Sequence, residues 1–130
     1  MIFRQLFDSD SSTYTYLLGC RETGEAVIID PVFEQHARDA ALIRELGLKP
    51  RYALDTHVHA DHVTGAWLMR EHLGAETVIS SNAGVSEVDT LVDHGDVLAF
   101  GNESIAVRAT PGHTGGCLTF VTVSYTHLTL

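Results

Sequence analysis

The stretch Thr56-His57-Val58-His59-Ala60-Asp61-His62 places three histidines and an aspartate within seven residues. Neutral imidazoles and carboxylates are the donors that zinc, iron and manganese accept. Their order matters as much as their kind. Residues 51–54 (RYAL) read as a strand, and the residues after His62 read as a helix, so the motif lies on the turn between the two. In extended chain, positions i and i+2 point the same way, so the imidazoles of His57 and His59 can converge on one point. Asp61 and His62 then fall near the helix start, where the dipole favours a carboxylate. Loops that follow strand ends are the usual seat of active sites in α/β proteins. A second such loop, TPGHTGG at 110–116, follows another apolar strand and carries His113, a third candidate ligand. His36, His72, His94 and His127 stand apart from these motifs and read as ordinary surface or core histidines.

The elements that must position these residues follow from the patterning. Residues 13–18 (TYTYLL) and 26–29 (AVII) predict a β-hairpin at the edge of a larger sheet, with turn residues between them. Ala37, Ala40, Ala41, Ile43 and Leu46 recur at helical spacing, which predicts a helix over 34–46 ended by Gly47. The helix after the motif, VTGAWLMREHL, ends at Gly74, and Glu76–Ser80 reads as the next strand. Residues 96–100 and 104–109 flank Gly101-Asn102 as a second hairpin, and 117–123 resume as a strand. Helix, strand, helix, strand in the middle of the chain is the mark of a layered α/β domain. The chain shows no repeat, low-complexity tract or internal linker.

Composition narrows the function. A length of 130 residues suits one domain, and 45% hydrophobic with 19% charged residues supports a packed core. A net charge of −9 with only 8 Lys and Arg argues against a nucleic-acid partner. No window reaches the roughly 18 apolar residues of a membrane span. Cys20 and Cys117 form no CxxC pair, so two partly buried thiols in a reducing, cytoplasmic setting are expected.

HxHxDH followed by a histidine on a Gly-rich loop resembles the metallo-β-lactamase superfamily. The segments FRQLFDSDSSTYTYLL, ALDTHVHADHVTGA and VRATPGHTGGC resemble, within it, the persulfide dioxygenases, the ethylmalonic encephalopathy protein-like sulfur dioxygenases. The resemblance implies an αββα sandwich, of which residues 1–122 would supply the first half. The tail at 123–130, VSYTHLTL, does not resemble the family. The resemblance also implies an enzyme of sulfide metabolism that oxidises glutathione persulfide with O2 to sulfite and glutathione at one Fe(II) per site. His57 and His113 match iron-binding histidines, and His59 matches a metal ligand of the related two-metal hydrolases. Asp61 and His62 match the second metal site of those hydrolases, and in a one-iron enzyme they would orient the ligands. Thr114 would touch the glutathione. The partners implied are glutathione persulfide, O2 and, through association of an uncovered sheet face, a second copy in a homodimer. The family's third iron ligand is an Asp in a segment like FTGDAL, which does not occur here, so a truncated, inactive fragment is expected. Zinc stays open as the metal. Two other functions stay open as well. One is a thioester hydrolase of the glyoxalase II type, whose DHxGG pattern is replaced by Val63-Thr64-Gly65. The other is a non-catalytic metal-binding half-domain.

Overall fold

The computed structural model describes residues 1–57, 64–83, 88–110 and 117–122. Strands β1 (Ile2–Asp8), β2 (Thr13–Gly19), β3 (Glu25–Ile29), β4 (Lys49–Leu54), β5 (Glu76–Ser80) and β6 (Thr90–Val92) form one sheet in sequence order. β1, β2 and β3 run antiparallel, and β3 to β6 run parallel. Strands β7 (Val97–Phe100), β8 (Glu103–Ala109) and β9 (Leu118–Thr122) form a second, antiparallel sheet. Helices α1 (His36–Glu45) and α2 (Ala66–Leu73) make the crossovers from β3 to β4 and from β4 to β5.

The β3 sequence shows why the first sheet lies in the middle. Val27 and Ile29 point to one face and join Leu54, Phe100, Ile105 and Phe120 in a core between the two sheets. Ala26 and Ile28 point to the other face and join Leu17, Ile43, Ala53 and Met69 beneath the helices. Period-two alternation with both faces apolar demands cover on both sides. The result is three layers, helices on sheet on sheet. No helix among the described residues is long and apolar enough to cross a membrane.

Two strands escape the sequence reading. β1 pairs with β2 along all seven of its residues, so the sheet's edge is β1 and the β2–β3 hairpin lies one strand inward. Arg4 and Gln5 interrupt any alternation in IFRQLFD, and both are exposed, which is how an edge strand reads. β6 has only three residues. Helix α1 starts at His36, after a 3-10 turn at Phe33–Gln35, where the spacing predicted one continuous helix from residue 34. Residues 123–130 lie outside the described residues.

Neither cysteine is in a disulfide; Cys20 is buried and Cys117 half-buried. Cys20 anchors the β7–β8 turn to the first sheet. Its Sγ accepts the Asn102 N–H at 3.4 Å, and the Gly101 N–H bonds to the Glu25 carboxylate. Gly101 has φ +63, and a Cβ there would lie 2.1 Å from Thr23 Oγ1 and 2.7 Å from Cys20 Sγ. Strain and overpacking act together at this position. Gly101→Ala should therefore cost about 2–4 kcal/mol of unfolding free energy, read from the urea midpoint.

Candidate metal centre

The site is rooted where β3 and β4 leave the sheet side by side. Asp30 follows β3 and donates its N–H to the Leu54 carbonyl at 2.7 Å. It adopts a left-handed φ of 54°, which Asp tolerates better than most residues. From there its carboxylate spans to the end of β4. Oδ1 accepts the Thr56 N–H at 2.8 Å, and Oδ2 accepts the Thr56 hydroxyl at 2.6 Å. Thr56 Oγ1 also lies 2.9 Å from His57 Nδ1. A carboxylate only accepts, so the Thr56 proton goes to Asp30 and the hydroxyl must accept from His57. His57 therefore carries its proton on Nδ1 and its lone pair on Nε2. This is the tautomer that ligates a metal through Nε2, with the Nδ1–H oriented by an outer partner. The donor chemistry at His57 fits a bound metal.

The ends of the segment that carries His59, Asp61 and His62 are pinned. Asp55, nearly buried, takes its N–H to the Val78 carbonyl, and its Oδ2 accepts the Thr64 hydroxyl at 3.1 Å. Thr64 also bridges to Val32, and the Gly65 N–H bonds to the Pro31 carbonyl at 2.7 Å. A Cβ on Gly65 would sit 3.0 Å from the Pro31 carbonyl, so a larger residue would have to push that backbone back by a few tenths of an ångström. The exit of the segment is thus held within the same strand ends as its start.

The second loop is rooted next to the first. The Thr110 N–H bonds to the Cys117 carbonyl at 3.1 Å and closes the base of 111–116. The next residue, Leu118, donates its N–H to the Thr56 carbonyl at 2.7 Å. His94 accepts the Ala109 N–H on Nδ1 at 3.0 Å and so steadies the end of β8. The residue that opens the first motif and the strand that leaves TPGHTGG are therefore joined by a main-chain hydrogen bond. A cavity of about 500 Å³ opens beside His57 and is lined also by Asp55, Thr64, Trp67, Arg70 and Asp89. In its wall, the Thr77 N–H and then the Arg70 guanidinium hold the Asp89 carboxyl below its usual range.

Of the expected site residues, His57 is described, while His59, Asp61, His62, His113 and Thr114 lie outside the described residues. Among the described residues, no group of three or more His, Cys, Asp or Glu is placed to hold a metal. Sequence reasoning missed Asp30 and Thr56 as parts of the site. Asp30 follows the predicted strand 26–29 with no motif around it, and Thr56 was legible only as the residue that opens the motif.

The described part of the site is one tautomer-locked histidine at the end of a parallel strand of a layered α/β fold. Residues 9–128 match the metallo-beta-lactamase superfamily, and the chain belongs to it. The chain is 52% identical over 122 residues to persulfide dioxygenase ETHE1 of Bos taurus and of Homo sapiens, covering 93% of this chain and 48% of each relative. It is 36% identical over 113 residues to a hydroxyacylglutathione hydrolase of Chelativorans, covering 85% of this chain and 43% of the relative. The crystal structure of ETHE1 from Myxococcus xanthus superposes with a TM-score of 0.89 at 49% identity, covering 94% of this chain and 54% of that one. The chain spans about half the length of the curated relatives it matches.

Removing the Thr56 hydroxyl isolates the tautomer lock. Thr56→Val should weaken metal binding by about 10–100-fold, as loss of an outer partner does, with little change in fold, and Thr56→Ser should restore it. Metal titration of the three proteins alongside their circular dichroism checks this.

Proposed function

We propose that residues 1–122 form the first half of a persulfide dioxygenase domain. Identity of 52% to the persulfide dioxygenases, over a stretch that includes both histidine loops, carries this reading. In it, His57 and His113 hold one Fe(II), with His59 beside them. Fe(II) bound there would supply the redox chemistry that couples the persulfide sulfur to O2. The net change is glutathione persulfide, O2 and water to sulfite and glutathione.

The remaining roles belong to the protein's own groups. The Asp30 and Thr56 side chains keep the proton on Nδ1 of His57, so its Nε2 stays a ligand throughout. Asp61 and His62 orient the ligating groups, and Thr114 contacts the glutathione. A carboxylate from the second half of the family domain would complete the ligand set. Zinc is the competing occupant of such a donor set. A reducing, cytoplasmic setting is the reading for this chain, whereas the mammalian relatives carry "mitochondrial" in their names.

Oxygen-electrode and sulfite assays with glutathione persulfide test the reading, on this chain and on a form extended to the length of its relatives. The extended form should consume O2 in step with sulfite release and contain one iron. His57→Ala in that form should remove both iron and O2 uptake. Two bound metals with cleavage of a glutathione thioester and no O2 uptake would replace the dioxygenase by a hydrolase of the hydroxyacylglutathione type.

A further inference from the structure

His36 and His72 are separated by 36 positions yet meet across the α1–α2 contact. His72 Nδ1 lies 3.0 Å from His36 Nε2, and the ring centroids are 5.0 Å apart. The other nitrogen of His36, Nδ1, is buried with no hydrogen-bond partner. These facts fix the proton count. With both rings neutral, His36 donates from Nε2 to His72 Nδ1, and the buried Nδ1 holds only a lone pair. His72 then carries its own proton on Nε2. Add one proton and two arrangements remain. If the bond is kept, His36 must place an N–H at its buried, partnerless Nδ1. If that position is spared, N–H groups on Nε2 and Nδ1 face each other and the bond is lost. The first is costly, because a buried donor without an acceptor loses its water and gains nothing, and the second breaks the bond between the helices and sets two N–H groups against each other.

We propose that the His36–His72 pair is a pH-sensitive clamp between α1 and α2, closed when both imidazoles are neutral and opened by the first proton. The electrostatics run the same way. Burial first, then the positive charges of His72 and Arg44, lower the His36 pKa from its ordinary 6.5. Glu34, two residues before His36, is exposed, and the β4 residue beneath the helices is the uncharged Ala53; Asp39, one turn along α1, is buried beside Arg38 with its pKa raised by that burial, so it acts the opposite way on the pH slope, in wild type and variants alike. A histidine whose folded pKa is lowered contributes stability that is complete above the unfolded value and is lost as pH falls through it toward the folded value. The clamp therefore weakens below about pH 6.5. Helix α2 begins at Ala66, directly after the pinned Thr64 and Gly65, so its docking bears on the first metal-site loop.

Trp67 lies in α2 and is the chain's single tryptophan, which gives a local reporter. Urea midpoints by Trp67 fluorescence, measured from pH 7.5 to 5.5, should fall with acid in the wild type. His36→Leu and His72→Gln should each flatten that fall. An unchanged pH slope in both variants would overturn the clamp. Nitrogen-15 NMR of the histidine rings in the wild type gives a second reading that needs no variant. At pH 7.5 it should show His36 protonated on Nε2 and bare on Nδ1, and a proton on Nδ1 would overturn the proposal.

Discussion

Two hydrogen bonds from Thr56 to the Asp30 carboxylate set the position of His57. They exist because β3 and β4 are parallel neighbours with Ile29 opposite Leu54, so both strands leave the sheet at the same edge. Asp30 is one residue past its strand and Thr56 two residues past its own. A side chain from one can then hold the backbone and hydroxyl of the other. Parallel pairing needs a crossover, and α1 supplies it by burying Ala40 and Ile43 against the sheet. The apolar stripe of α1 is thus a precondition for the tautomer of a histidine on another element.

The second sheet is held to the first at opposite ends. Near the start of β3, Gly101 packs on Cys20 and bonds to Glu25. Past the end of β4, the Leu118 N–H takes the Thr56 carbonyl. Phe100 and Phe120, both fully buried, fill the space between. Burial of large side chains supplies most of the stability in such a core, but it is not directional. The polar ties at either end are what register one sheet on the other.

The sequence was informative where pattern alone decides structure. β3 to β5, both helices and the β7–β8 hairpin follow from periodicity and from Gly47, Gly74 and Gly101 as stops. The layered class followed from their alternation. β1 was illegible because its pairing, not its pattern, makes it a strand, and β6 is too short to show a period. Side-chain partnerships across the fold were illegible for a different reason. Asp30 with Thr56, and His36 with His72, depend on strand register and helix docking, neither of which a single chain of letters displays. His36 and His72 read as isolated residues, and each alone was ordinary. The motif itself was plain, yet nothing in its letters says which nitrogen of His57 carries the proton.

A metal that needs both His57 and His113 would draw on loops rooted in different sheets. The root of the first is the end of β4, and the root of the second is the start of β9, joined at Leu118 and Thr56. A metal bridging the two loops adds its binding energy to that single hydrogen bond. Binding and docking of the sheets then become one equilibrium, as in other proteins whose ligands are brought together only by folding. The hydrogen bond brings the loops' roots together beforehand, so less order has to be gained when the metal arrives. On this view the Thr56 residue serves the site twice. Its side chain sets the His57 tautomer, and its carbonyl ties the end of β4 to the start of β9, next to the loop sequence that carries His113.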